Sequence, residues 1–142
     1  MTIMKILGLG RLPPEADTLI PPADRIVTAE YLSCSCTFRN FRAPGRYYSW
    51  KRQWFAGSVC VSATHITAFR WRRRLINTDF EDPRFAQVSL SVDDETLIIK
   101  HDAALYRNDW PGSLEYRFRT PDAERIAEIA SSGIPDAVAD PF

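Results

Sequence analysis

Between residues 32 and 38 the apolar side chains Leu32, Cys34, Cys36 and Phe38 alternate with Ser33, Ser35 and Thr37. A period of two is that of a half-buried strand. The same period recurs along the chain. Pro44-Gly45 marks a turn, and residues 47–55, rich in aromatics, read as a second strand. Gly57 separates it from a third over residues 58–62, and residues 66–75 read as a fourth. Ala86, Val88, Leu90 and Val92 alternate with Gln87, Ser89 and Ser91 in a fifth. Asp93-Asp94-Glu95 joins it as a hairpin connection to a sixth over residues 96–101. Leu114, Tyr116 and Phe118 alternate with Glu115 and Arg117 in a seventh.

The period then changes. Ala123, Ile126, Ala127 and Ala130 form a stripe at helical spacing. Thr120 is a good N-cap, Pro121 suits the first helical position, and Asp122 and Glu124 suit the positive end of the dipole. Gly133 and Pro135 end the helix, which is expected over residues 121–132. So short an amphipathic helix needs a sheet or a barrel mouth to cover its apolar side. Pro13-Pro14 and Pro21-Pro22 make residues 1–26 an N-terminal arm, and residues 133–142 form a C-terminal tail. One domain is expected over residues 27–132: mainly β, a seven-stranded antiparallel bent sheet or open barrel with one C-terminal helix.

The segment Gly57-Ser58-Val59-Cys60-Val61-Ser62-Ala63-Thr64-His65-Ile66-Thr67-Ala68-Phe69 resembles the strand–turn–strand element of GRAM and bacterial pleckstrin-homology-like domains. In those families a Gly opens a strand that ends in Thr. A two-residue turn, a basic residue, an aliphatic and an aromatic follow. Ser62 stands for the Thr, His65 for the basic residue and Ile66 for the aliphatic, while Phe69 falls one place late. Seven antiparallel strands and a C-terminal helix are that fold's element order. The resemblance covers residues 27–132 and implies a fold more than an activity. The fold serves phosphoinositide binding, protein docking and silent modules, so function carried from it is analogy.

Charge adds what periodicity does not. The chain has 18 cations and 18 acids, yet residues 31–78 contain no Asp or Glu. That window holds nine cations, Arg39, Arg42, Arg46, Lys51, Arg52, Arg70, Arg72, Arg73 and Arg74, so the rest carries the balancing negative charge. It also holds ten of the 17 aromatics. Such asymmetry is a statement about fields and partners. Either the acidic remainder folds against this segment and neutralises it, or the segment is open to an anionic partner. The candidate anion-binding residues are Arg70, Arg72, Arg74, Lys51, Arg52 and Arg46. On one strand, Arg70, Arg72 and Arg74 would share a face about 7 Å apart, with Phe69 and Trp71 inward. An anionic lipid surface or a protein partner fits this patch. Single-stranded nucleic acid, stacked on interleaved aromatics, is the alternative and is less favoured for a chain of zero net charge. Aromatics on both faces of residues 47–55 and a free strand edge point to a homo-oligomer.

Other candidate chemistry is sparse. Cys34 and Cys36 share a strand face about 7 Å apart, too far for an easy disulfide, and read as small core residues. Cys60, His65 and His101 show no ligand-pair spacing, so no metal and no cofactor is expected. No nucleophile–base pair is legible, and the expectation is a non-enzymatic protein. Gly8-Leu9-Gly10 lacks the third glycine of a dinucleotide fingerprint. Free thiols, with no signal sequence and no apolar run of about 20 residues, point to a reducing cytoplasm, and the resemblance implies a bacterial one.

Overall fold

The computed structural model describes residues 10–43, 45–105 and 111–132, the side chains of Ala43, Arg46 and Ser132 excepted. A short helix α1 (Glu15–Leu19) leads to β1 (Arg25–Ala43), β2 (Arg46–Ser62), β3 (His65–Arg70), β4 (Arg73–Asp79), β5 (Ser89–Asp93), β6 (Thr96–Asp102) and β7 (Ser113–Arg119), and helix α2 (Ala123–Ser132) follows. The seven strands form one antiparallel sheet in the order β4-β3-β2-β1-β7-β6-β5, curled into a half-barrel. This is the expected mainly β class with its C-terminal helix. Asp94-Glu95 makes the expected hairpin turn between β5 and β6, with Asp94 in the left-handed region.

The strand count agrees only because two errors cancel. The expected second and third strands are one continuous β2, and Gly57 does not break it. Gly57 instead permits close approach: a Cβ there would lie 2.6 Å from the Phe69 carbonyl oxygen and 3.0 Å from Cys34 Sγ. The expected fourth strand is two, because the chain reverses at Trp71-Arg72. Trp71 sits at φ 54°, an uncommon conformation for a bulky residue. The reversal lets the run Arg72-Arg73-Arg74 reach water, which a single inward-alternating strand would have denied to Arg73. α2 begins two residues later than expected; Thr120 Oγ1 accepts from the Asp122 backbone N–H at 3.1 Å.

Core residues alternate as the sequence pattern requires. Cys34, Val59, Val61, Ile66, Leu97 and Phe118 fill the concave side, and α2 closes it with Ala123, Ile126 and Ala130. The opposite face is buried too over β2 and β3: Ser58, Cys60, Thr67 and Phe69 are fully covered. Ion pairs place the cover. Glu15 of α1 meets Arg74 at 3.5 Å, and Asp17 meets Arg25 at 2.7 Å. Ala16 and Ile20 are the buried side chains of this stretch.

Candidate functional site

The β1–β2 hairpin is far longer than the strands beside it. β3 pairs with β2 only over Gly57–Val61, and β7 pairs with β1 only over Ser33–Arg39. Among the described strands, the end of β2 from Arg46 to Phe55 is therefore held on one side alone, by β1. Its aromatics divide between packed and exposed. Phe55 turns inward against Phe118, with ring centroids 6.4 Å apart, and Tyr48 joins Phe38 and Phe41 in a second small apolar cluster. Tyr47, Trp50 and Trp54 stay 58%, 55% and 70% exposed. Aromatics on both faces of this segment were expected, and both faces carry them.

Arg52 lies between Trp50 and Trp54, its guanidinium carbon 5.5 and 5.9 Å from their ring centroids. Its Nε donates to Thr37 Oγ1 at 2.9 Å, which fixes the stem and leaves the rest of the fork free to bond outward. Lys51, on the other face, sits 4.4 Å from the Tyr48 ring. The row continues beyond β2. Trp71 N donates to the Ala56 carbonyl at 2.9 Å, so the β3–β4 turn abuts this edge. Trp71 is 54% exposed and Arg72 and Arg73 are exposed beside it.

The expected row of Arg70, Arg72 and Arg74 is not formed, and Trp71 does not point inward. The turn sends the three arginines to three places. Arg70 sits at the mouth of the concave side, bonded to Gln53 Oε1 at 3.1 Å and 5.5 Å from the Phe55 ring. Arg72 is in the turn, and Arg74 bonds Glu15. Phe69 is buried, but on the face that the N-terminal stretch covers. The Arg46 side chain lies outside the described residues. Among the described residues, Arg42, Lys51, Arg52, Arg70, Arg72 and Arg73 have no carboxylate within ion-pair distance, whereas Arg39 and Arg74 do. The acidic remainder thus neutralises only part of the basic window.

Two features were not legible in the sequence. Glu115 is buried, and Arg117 Nε donates to it at 2.5 Å, with Arg39 at 3.8 Å. Burial disfavours its charge, but Arg117, Lys100 and Arg39 outweigh that and hold its carboxyl below the ordinary value. The alternation of residues 114–119 put Glu115 and Arg117 on one face; bringing Arg39 to them required the β1–β7 register. The second is an apolar groove of about 560 Å³ lined by Phe80, Phe85, Val88, Leu90 and Ala130, with Glu81 and Asp82 also on its wall. It follows β4 and adjoins β5, the two ends of the sheet.

The remaining candidates are tied to the fold. Cys34, Cys36 and Cys60 are buried free thiols, and burial pushes Cys34 and Cys36 up to about 12. His65 bonds the Asn77 side-chain oxygen. His101 donates from Nδ1 to the Asp102 carbonyl at 2.8 Å. Among the described residues no three His, Cys, Asp or Glu side chains gather as a metal site. No helix among them is long and apolar enough to cross a membrane. No family model matches this chain, and no curated protein matches it either.

Proposed function

We propose that this chain is a non-enzymatic docking module of the pleckstrin-homology-like kind, working in a bacterial cytoplasm, which settles on an anionic membrane surface. One observation carries the reading. Trp50 and Trp54 flank Arg52, and Trp71 precedes Arg72 and Arg73; all three tryptophans are exposed, and none of these arginines has a described carboxylate partner. Tryptophan favours the headgroup level of a bilayer, and each cation near an anionic surface contributes roughly 1 kcal/mol. The element order supports the family resemblance, as does the two-residue turn Ala63-Thr64 between β2 and His65. The non-enzymatic reading is supported by thiols that stay protonated at neutral pH and by two imidazoles already engaged in hydrogen bonds.

A second reading rests on the same strand. Trp50 and Trp54 on one face with Arg52 between them could stack bases of a single strand while the guanidinium meets phosphate. Co-sedimentation separates the two. The account expects pelleting with anionic vesicles, weaker at high salt, none with neutral vesicles, and no competition by single-stranded DNA. Equal pelleting with neutral and anionic vesicles would contradict it, and preferential capture by DNA would install the second reading.

A further inference from the structure

The edge of β2 is open as well as basic. Ala56 turns its carbonyl toward the β3 side, where Trp71 bonds it. Alternate residues of a strand direct their backbone groups the same way. The N–H and C=O groups of Trp54, Arg52 and Trp50 therefore face that side, where no described strand runs. Such an edge is a template for another strand. Two β2 edges do not suit each other, because pairing them sets Lys51 and Arg52 of one copy against the same cations of the next.

The far end of the sheet offers the complement. Among the described strands β5 pairs only with β6, and it is five residues long, the length of the open stretch from Trp50 to Trp54. Ser89, Ser91 and Asp93 are exposed along it, and Asp94 follows in the turn. Among the described residues neither Asp93, Asp94 nor Glu81 has a cation within ion-pair distance. The apolar groove beside β5, with Phe85 and Leu90 in its wall and Glu81 at its border, matches an edge that presents tryptophan and arginine together.

We propose that the open edge of β2 in one copy takes up β5 of a second copy, with the face of Trp50, Arg52 and Trp54 toward the groove and Glu81, and with Lys51, on the other face, toward Asp93 and Asp94. The contact is heterologous: each copy offers a basic edge and an acidic one, so association runs head to tail into rings or filaments. It goes beyond membrane docking and is read without vesicles. A double-sided variant experiment tests it. By sedimentation velocity, the unmodified chain should grow in mass from micromolar to near-millimolar concentration, less so in high salt. The Arg52→Glu variant and the Asp93→Lys, Asp94→Lys variant should each be monomeric. Mixed together they should form a 1:1 dimer and stop there, since each retains one intact edge and blocks the other. Trp54→Glu, which leaves the Arg52–Thr37 bond in place, should substitute for Arg52→Glu in the same mixture. A monomeric unmodified chain, single variants that still assemble, or mixtures that stay monomeric with both basic-edge variants would overturn the proposal.

Discussion

The two halves of β2 share a strand and little else. From Ser58 to Val61 both faces are buried, one by the concave core and the other by the N-terminal stretch around Ala16 and Ile20. From Tyr47 to Trp54 only Tyr48 joins a small aromatic cluster, while Tyr47, Trp50 and Trp54 meet water. The exposed half is the more aromatic of the two, so hydrophobicity does not decide burial here. Neighbours do: β3 stops pairing at Gly57, and the N-terminal stretch bonds β1 at Tyr31, where Tyr31 N donates to the Gly10 carbonyl at 2.8 Å. Large apolar groups left in water beside cations with no described carboxylate partner are the observation on which the proposed docking surface rests.

The comparison breaks most visibly in the buried half. Phe69→Ala empties a site covered on all sides and should cost about 3–5 kcal/mol in urea unfolding; a loss below 1 kcal/mol would mean the N-terminal stretch does not seal that face. Smaller is the effect of Glu115→Gln, which removes a charge held by Arg117 and Arg39. It should cost about 1–2 kcal/mol. Because the folded carboxyl titrates below its unfolded value, this stabilisation is present above the unfolded value and disappears as pH falls through the folded one. The variant's deficit should therefore shrink in acid, and a deficit unchanged at pH 3 would contradict the ion pair.

His101 gives a gentler test. Burial holds its folded value below the ordinary 6.5, so the unfolded chain takes up a proton first. Stability is then complete above about pH 6.5 and declines as pH falls toward the folded value. His101→Gln should flatten that decline; the same slope with and without the imidazole would assign it elsewhere. Cysteine chemistry should follow burial: Cys34 and Cys36 should react with a thiol reagent only on unfolding, and prompt modification of the folded chain would show their face to be open.

Much of this fold was readable from period alone. Strict alternation located β1, β5 and β7, the hairpin turn at Asp94-Glu95 located β6, and the switch at Thr120 located α2; the fifth strand was placed three residues too early, because Ala86 and Gln87 lie in a 3-10 turn before β5 begins at Ser89. β2 and the β3–β4 pair were misread for a common reason. Both faces of β2 are covered near Gly57, so the pattern there loses its period and a glycine looked like punctuation. The turn at Trp71-Arg72 lacks Gly, Pro, Asn or Asp, and nothing local announced it. That error moved the candidate site. The basic and aromatic composition pointed to a segment that the fold leaves exposed, yet the grouping of Arg70, Arg72 and Arg74 depended on a strand that does not exist, and the row of Trp50, Arg52 and Trp54 was found through register.

The smallest expected change in stability carries the largest expected change in binding. Trp50→Ser combined with Trp54→Ser removes two exposed rings and no described core contact. The melting temperature should shift by no more than about 2 °C, while partition onto anionic vesicles, measured on the same preparation, should fall at least about tenfold. An unfolding shift of many degrees with partition unchanged would contradict the account, and would make the exposed half of β2 part of the scaffold.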